Sequence, residues 1–293
     1  MTPSVLNEKE TDQEMFEALR TIILNQLEQG NLDLPILPQV ANQVLLVAGD
    51  PNANASKLSS LIQQDQALAG QILRIANSPA YLPRSPVVSL QQAIAWLGSN
   101  MLSGIAFSVS VQSGVFNVKG YETEVKNLWR HALTSGLYGK EIARKIRHNV
   151  ENAFLCGLLH AIGKPVVLHI IIGLSKNTQP KPSRGVIEQL MNECHVQVGS
   201  KLAKSWKFPD PVQEAILLYQ DHTYAQATSP AKGTIITCLA DRMASFHLDS
   251  TSIAEETLRA LPVVRDLNFY PDDMGALLEL QDSIRTSVDC MLL

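Results

Sequence analysis

The sequence lacks the cysteine pairs that build zinc ribbons, redox motifs or disulfide frameworks. Its four cysteines stand singly, at Cys156, Cys194, Cys238 and Cys290, with no Cys-x-x-Cys pair. An excess of positive charge is also absent, since the formal net charge is −4. The chain therefore has no general positive field to hold nucleic acid or an anionic membrane surface. We therefore expect no nucleic-acid partner, and the isolated cysteines fit a reducing cytoplasm.

Long hydrophobic runs are missing as well. The opening MTPSVLNEKETDQE is polar and acidic, unlike a signal peptide. The most apolar run, Val166–Leu174, is interrupted by His169 and is too short to span a bilayer. We expect a cytoplasmic protein with no membrane partner.

Strand patterns are scarce, whereas helical spacing runs through nearly the whole chain. Thr11–Glu14 has the form of a capping box and predicts that a first helix begins there and ends at Gly30. Val and Ile cluster at Val166–Ile172, but this run continues a helical pattern and lacks hairpin signals. The sequence predicts an all-α fold.

Breaks in the helical pattern divide the chain into parts. Gly114–Gly120 separates a front lobe of short helices from a back lobe of longer ones. We predict a leader and helix at 1–30, a domain at 31–242 made of lobes 31–118 and 119–242, and a helical extension at 243–293 that packs on the back lobe. The extension carries apolar residues that could pack on the core or form the face of a homodimer: Leu277, Leu278, Leu280, Ile284, Met291 and Leu292.

One histidine stands in a helix that is apolar on every side. Ala153–Leu159 leave almost no polar face before His160, so this helix is expected to be buried. A buried imidazole needs a partner, which is either a metal ion or a hydrogen-bonded carbonyl or carboxylate. Farther along, His195 is predicted to open a helix that follows Val186–Cys194.

Several motifs resemble a known superfamily. The segments WRHA, LLHAIGK, NECHVQVG, YQDHTY and LADRMA resemble the ligand positions of the HD phosphohydrolases. The front-lobe segments LPILPQV, LIQQDQALAGQILRIANSPAY and VVSLQQAIAWLG resemble the HDOD domain, the HD-related output domain of bacterial signalling proteins. The resemblance implies an HD-like helical bundle with an N-terminal lobe of short helices, a bacterial origin and a regulatory role. The metal ligands that it implies are His131, His160, His195, His222 and Asp241.

The acid that follows the central histidine of active HD enzymes is replaced by Ala161. Because the bound metal must activate water and polarise phosphoryl oxygens, a lost carboxylate weakens both binding and chemistry. Asp221, beside His222, could replace part of the charge. Relatives that cleave cyclic dinucleotides carry a His-His pair and a later Gly-Tyr-Pro, which this sequence lacks. We expect no cofactor, although the remaining ligands could hold a divalent Zn, Ni, Fe or Mn ion.

Lys164 has two interpretations. It is a cation near a bound phosphate, or a lysine that follows a helix-ending Gly163 and interacts favourably with the helix dipole. Three functions stay open at this point. The chain is a non-catalytic regulatory module that binds a protein partner or small signalling molecule, a metal-dependent phosphohydrolase that uses Lys164 and Asp221, or a nucleotide sensor that needs no metal.

Overall fold

The regular structure consists of α-helices. The computed structural model describes residues 3–48, 55–78, 81, 83, 85–114, 118–176, 179–225 and 231–292, without the side chains of 3–10, 45, 46, 48, 55, 100, 111–114, 221 and 222. Within these ranges no strand is present, which confirms the predicted all-α fold. The helices are α1 (Pro3–Glu28), α2 (Gln39–Ala48), α3 (Ala55–Ile62), α4 (Gln66–Ala76), α5 (Leu90–Leu97), α6 (Ser99–Gly114), α7 (Glu122–Lys145), α8 (Val150–Leu159), α9 (Gly163–Leu174), α10 (Arg184–Ser205), α11 (Asp210–Leu218), α12 (Asp221–Tyr224), α13 (Lys232–Leu248), α14 (Glu255–Arg259), α15 (Pro262–Asp266), α16 (Pro271–Leu278) and α17 (Gln281–Met291).

The first helix begins earlier than the sequence predicted. Thr11–Glu14 lies inside α1, so the prediction that a capping box starts the helix there was wrong. The Asp12 carboxylate instead accepts a hydrogen bond of 2.7 Å from the hydroxyl of Ser183, beside the start of α10. After α1, Gly30 adopts a left-handed conformation with φ of 71°, as predicted for a helix end.

The front lobe is formed by α2 to α6, with α2, α4 and α5 packed on α6. Asp65 caps α4 by accepting a hydrogen bond of 3.0 Å from the backbone N–H of Leu68. Just after α4, the Asn77 side chain donates to the carbonyl of Val87 at 2.8 Å and accepts from its N–H at 2.7 Å. This amide joins the end of α4 to the segment that leads into α5.

Helix α8 is the centre of the back lobe. It contacts α6, α7, α11 and α13, and every residue from Ala153 to Leu159 is buried, as its apolar pattern predicted. A Cβ at Gly157 would lie 2.6 Å from the backbone oxygen of Ser135 in α7. Glycine therefore permits the close approach that brings His160, at the end of α8, next to α7.

The boundaries around α9 and α10 differ from the sequence predictions. His195 does not open a helix, because Val186–Cys194 and the residues after it form the single helix α10. Gly163 begins α9 rather than ending a helix, and it places Lys164 in the first turn. A Cβ at Gly163 would overlap the backbone oxygen of His195, so glycine allows α9 to cross α10 at this point.

The C-terminal helices pack on the back lobe. Helix α15 lies on α13, and α16 and α17 lie on α7, where Arg130 pairs with Asp289 at 2.7 Å. The apolar side chains of this extension pack inside the same chain, with Leu277, Ile284, Met291 and Leu292 buried and Leu278 and Leu280 partly buried against the core. The domain boundaries and the homodimer stay predictions.

One stretch of the described chain, Val150–Leu174, is long and apolar enough to cross a membrane. It exceeds the apolar run read from the sequence because α8 and α9 follow one another closely. Of its most apolar window, 78% is buried inside the fold, as in the core helix of a globular protein. Helices α5 and α6 pass the same test only as a pair bent by 119°. The absence of a membrane partner stays a prediction.

Candidate metal-binding site

Three of the five predicted ligands meet between α7, α8 and α13. Oδ1 of Asp241 lies 2.9 Å from Nε2 of His131 and 3.1 Å from Nε2 of His160. These ligand atoms all lie within 4.8 Å of one another and could hold a metal ion. The His160 side chain is fully buried, whereas those of His131 and Asp241 are 23% and 16% exposed. Solvent therefore reaches the cluster past His131 and Asp241.

The hydrogen bonds of His160 identify the nitrogen that carries its proton. Nδ1 lies 2.7 Å from the carbonyl oxygen of Gly157, and since a carbonyl oxygen only accepts, Nδ1 donates. In the neutral ring Nε2 is then an acceptor that faces the carboxylate of Asp241. Two acceptors at 3.1 Å repel each other unless a proton or a metal ion lies between them. Histidine ligands of metals usually donate their other N–H to such a partner, so His160 fits an ion.

Asp241 supplies the negative charge of the cluster. Burial by itself would raise the pKa of this carboxyl, but the close approach of the two imidazoles, His131 and His160, outweighs it and holds the pKa well below its usual range. The carboxyl is therefore ionised at neutral pH. One carboxylate oxygen and two imidazole nitrogens suit zinc, nickel or iron.

His195 lies outside this cluster. Its Nδ1 donates to the carbonyl oxygen of Asn192 at 2.9 Å, and its Nε2 accepts from the hydroxyl of Tyr219 at 2.7 Å. Burial, with the nearby charge of Lys164 acting in the same direction, lowers the pKa of His195 to about 4. The ring is neutral and both nitrogens have partners, so its role as a ligand stays a prediction.

Tyr219 is the site residue that the sequence analysis missed. It follows α11 and is buried, and its ring stands edge-on to His160 with the ring centroids 4.6 Å apart. Burial raises the pKa of its hydroxyl, which stays protonated and donates to His195. The only signal in the sequence was its place in YQDHTY, close to His222, and this does not reveal where the ring points.

Asp221 and His222 lie on the short helix α12, but their side chains fall outside the described residues. Their suggested roles as a replacement acid and a ligand stay predictions. Helix α12 is tied to the C-terminal extension, because the Tyr224 hydroxyl donates a hydrogen bond to the carboxylate of Asp266.

Two cavities meet at Lys164. One has a volume of about 40 Å³ and is lined by His131, Ala161 and Lys164 among others, which is room for water or an ion. The other is a groove of about 380 Å³ between α7 and α10, with Lys164 at one side. Lys164 therefore borders both the small cavity beside His131 and a space large enough for a small molecule.

The structure changes the interpretation of Lys164. In the first turn of α9 a positive charge is opposed by the helix dipole, so the suggestion that it follows a helix end and gains from that dipole was wrong. Burial lowers the pKa of its amine, while the charges of Asp241 and Glu188 act in the opposite direction. Both burial and the helix dipole disfavour a charged amine at this position. This favours the interpretation of Lys164 as a ligand-binding group.

Solved structures of other proteins share this fold, and two of them are similar over almost the whole of this chain. One is a protein from Shewanella amazonensis SB2B, provisionally assigned as a metal-dependent phosphohydrolase, with a TM-score of 0.72 and 24% identity over 93% of this chain and 99% of that chain. The other is an HDOD domain protein of unknown function from Geobacter sulfurreducens, with a TM-score of 0.69 and 23% identity over 94% and 98% of the two chains. These likenesses confirm the HD-like helical bundle.

Sequence comparison gives the family. An uncharacterized protein of Treponema pallidum (strain Nichols) is 25% identical over 237 residues, which cover 78% of this chain and 45% of that protein. The chain thus spans about half the length of the curated relative that it matches. The HDOD domain matches residues 34–222, more than half of the chain and including the front-lobe motifs. The chain therefore belongs to the HDOD domain family.

Proposed function

We propose that the protein is a regulatory HDOD module of bacterial signalling that recognises a protein partner or a small signalling molecule and does not hydrolyse phosphoesters. The observation that carries the proposal is the small ligand set around His160. Ala161 provides no carboxylate, and Nε2 of His195 is already paired with Tyr219. Among the described residues, three ligand atoms come together.

The charge of the cluster points the same way. In metal-dependent phosphoester hydrolysis the metal must activate water and neutralise charge on the phosphoryl oxygens. An imidazole that binds a metal ion is neutral, so His131 and His160 would add no charge as ligands, and Asp241 contributes one negative charge. Because ligand charge helps to set the affinity for divalent cations, this set supports one weakly held ion better than a tightly bound catalytic pair.

The groove between α7 and α10 supports recognition of a small molecule. Its volume of about 380 Å³ lies within the usual range for ligand pockets. Leu128, Ile187 and Met191 give it apolar walls, and Lys164 gives it a cation. An ion pair of 2.8 Å between Arg184 and Glu124 joins residues from its two sides. Glu188 also lines the groove, so Lys164 is the residue that would pair with an anionic group of a ligand, while the walls suit an apolar body.

The test is a hydrolysis assay on the full chain. The substrates are a generic phosphomonoester, a generic phosphodiester, a nucleoside triphosphate and a cyclic dinucleotide, each with added Mn²⁺, Zn²⁺ or Ni²⁺. We expect no turnover above that of the matched variant His160→Gln. Turnover by the unmodified chain that disappears in His160→Gln would overturn the proposal.

A metal-dependent phosphohydrolase is the second candidate, and the cluster itself favours it. His131, His160 and Asp241 would hold the ion, which when bound supplies Lewis-acid polarisation of a phosphoryl oxygen. Lys164 lines both cavities and would bind the anionic group of the substrate. Elemental analysis of the purified chain separates the candidates when it is combined with the assay. Stoichiometric metal together with turnover would support this candidate. The absence of both metal and turnover would exclude it.

A nucleotide sensor that needs no metal is the third function. The groove and Lys164 support it in the same way as they support other small anionic ligands. Calorimetric titration of nucleotides in the presence of a chelator distinguishes it, since a sensor of this kind retains its affinity while an ion-dependent site does not.

A further inference from the structure

We infer that the hydroxyl of Tyr219 takes the place of a metal ion at His195 and thereby limits this site to the three-ligand cluster of His131, His160 and Asp241. The inference deepens the proposed function and rests on it, since it names the residue that keeps a further imidazole out of cation binding. Tyr219 acts through His195 and is a positioning residue.

The first step is that His195 is oriented in the same manner as His160. In each ring Nδ1 donates to the backbone carbonyl three residues earlier, at Asn192 for His195 and at Gly157 for His160. This bond fixes the tautomer and leaves Nε2 with a free lone pair, as in many histidines that bind metals. The two imidazoles differ in what Nε2 meets.

The second step concerns the position of Tyr219. Its ring centroid is 4.6 Å from that of His160 and 6.0 Å from that of His195, so the phenol packs against both imidazoles. Its protonated hydroxyl lies 2.7 Å from Nε2 of His195. A single lone pair cannot bind a hydrogen and an ion at once, so the hydroxyl excludes an ion from His195.

The third step is the effect of removing one atom. Tyr219→Phe keeps the ring that packs on His160 but takes away the hydrogen bond to His195. The buried Nε2 then lacks a partner, which is unfavourable for a polar atom out of contact with water. A divalent cation in the space left by the hydroxyl, which lies 2.7 Å from Nε2 in the unmodified chain, would satisfy it and gain an imidazole ligand.

The experiment measures Zn²⁺ binding by calorimetry in the full chain after chelator treatment, with Co²⁺ absorption as a second readout of ligation. We expect Tyr219→Phe to bind Zn²⁺ at least about tenfold more tightly, since even outer-shell partners change metal affinity by that factor. The double variant Tyr219→Phe/His195→Gln should return to the original affinity and Co²⁺ spectrum. The matched control is Tyr138→Phe, because the Tyr138 hydroxyl lies 3.1 Å from Nδ1 of His247, away from the cluster residues.

Three results would overturn the inference. They are an unchanged affinity and Co²⁺ spectrum in Tyr219→Phe, a gain that persists in the double variant, and an equal gain in Tyr138→Phe. If Tyr219→Phe does not fold, His195→Gln provides the test. We expect it to bind Zn²⁺ with the same affinity as the original chain, and a loss of affinity would contradict the inference. These titrations use no substrate, so their outcome does not depend on hydrolysis. The proposed function is overturned only by turnover in the hydrolysis assay, so the two failures can be told apart.

Discussion

Nε2 of His160 lies 3.1 Å from Oδ1 of Asp241, while Nδ1 of the same ring donates to the carbonyl oxygen of Gly157. The backbone bond leaves the inward nitrogen without a proton in the neutral ring, so this nitrogen and the carboxylate together form a place for a cation. How firmly it holds an ion depends on the charge that surrounds it.

Restoring the missing acid should strengthen ion binding. Ala161 lines the small cavity beside His131, and Ala161→Asp adds a carboxylate next to His160. We expect the affinity for Mn²⁺ or Zn²⁺ to rise about tenfold, which is about 1.4 kcal/mol, as measured by calorimetry. Ala161→Asn is the control of equal size without charge. Equal affinities in the two variants would show that the new side chain does not reach the ion.

Two glycines of α9 should respond in opposite ways to the same substitution. A Cβ at Gly163 would overlap the backbone oxygen of His195, whereas a Cβ at Gly173 meets nothing within 4 Å. We expect Gly163→Ala to lower the free energy of unfolding by about 1–3 kcal/mol or more, as overpacking does. Gly173→Ala should raise it by about 0.5–1 kcal/mol, because alanine favours a helix over glycine. Urea denaturation measures both, and similar values would contradict the close crossing of α9 and α10.

Helical periodicity predicted much of the fold because it reports which face of each element is buried. The all-α class and the burial of α8 follow from it, since Ala153–Leu159 are apolar on all sides. Helix boundaries were harder to predict. Thr11–Glu14 has the composition of a cap, yet α1 continues through it, and His195 lies inside α10 although the sequence suggested a new helix there.

The candidate site was predicted only in part. His131 and Asp241 are 110 residues apart in sequence, so their contact followed from a family resemblance and not from local pattern. Tyr219 could not be predicted, because the direction of a side chain at the end of α11 is set by the packing of α8 and α10 around it. The dipole interpretation of Lys164 failed for a related reason, since the sequence did not show that Gly163 starts a helix.

The neutral state of His195 should make stability depend on pH. Burial lowers its pKa to about 4 in the folded chain, against about 6.5 when unfolded. The unfolded chain therefore binds the proton first, so the contribution to stability is complete above pH 6.5, falls as the pH drops towards 4, and is lost below it. The loss is at most about 3 kcal/mol.

The measurement is urea denaturation at several pH values between 7.5 and 4. His195→Gln should show a shallower fall in stability across this range than the unmodified chain. The control is His169→Gln, because His169 is exposed on α9 and its replacement should leave the slope nearly unchanged. An identical slope in His195→Gln would show that the proton is not excluded from this ring.

Lys164 should lower the stability of the chain in the absence of a ligand. Burial disfavours the charged form of its amine and lowers its pKa. The dipole of α9 also opposes a positive charge in the first turn of that helix. We expect Lys164→Met to raise the free energy of unfolding by about 1 kcal/mol, since Lys164 is half-buried and replacing an incompletely compensated charge by an apolar side chain is often stabilising. Inorganic phosphate should stabilise the unmodified chain and have a smaller effect on Lys164→Met, because the cation that lines the groove is gone.

Lys140→Met is the matched control for both measurements. Burial also lowers the pKa of Lys140, but its amine lies 6.0 Å from the ring centroid of Tyr81 and 3.5 Å from Sδ of Met101. Loss of the interaction with the ring offsets part of the gain, by about 0.5–1 kcal/mol, so this variant should gain less stability and keep the full response to phosphate. If phosphate stabilises Lys164→Met as much as the unmodified chain, the amine does not bind the anion. A Lys164→Met chain less stable than the original would show instead that the amine strengthens the fold through its attraction to Asp241 and Glu188.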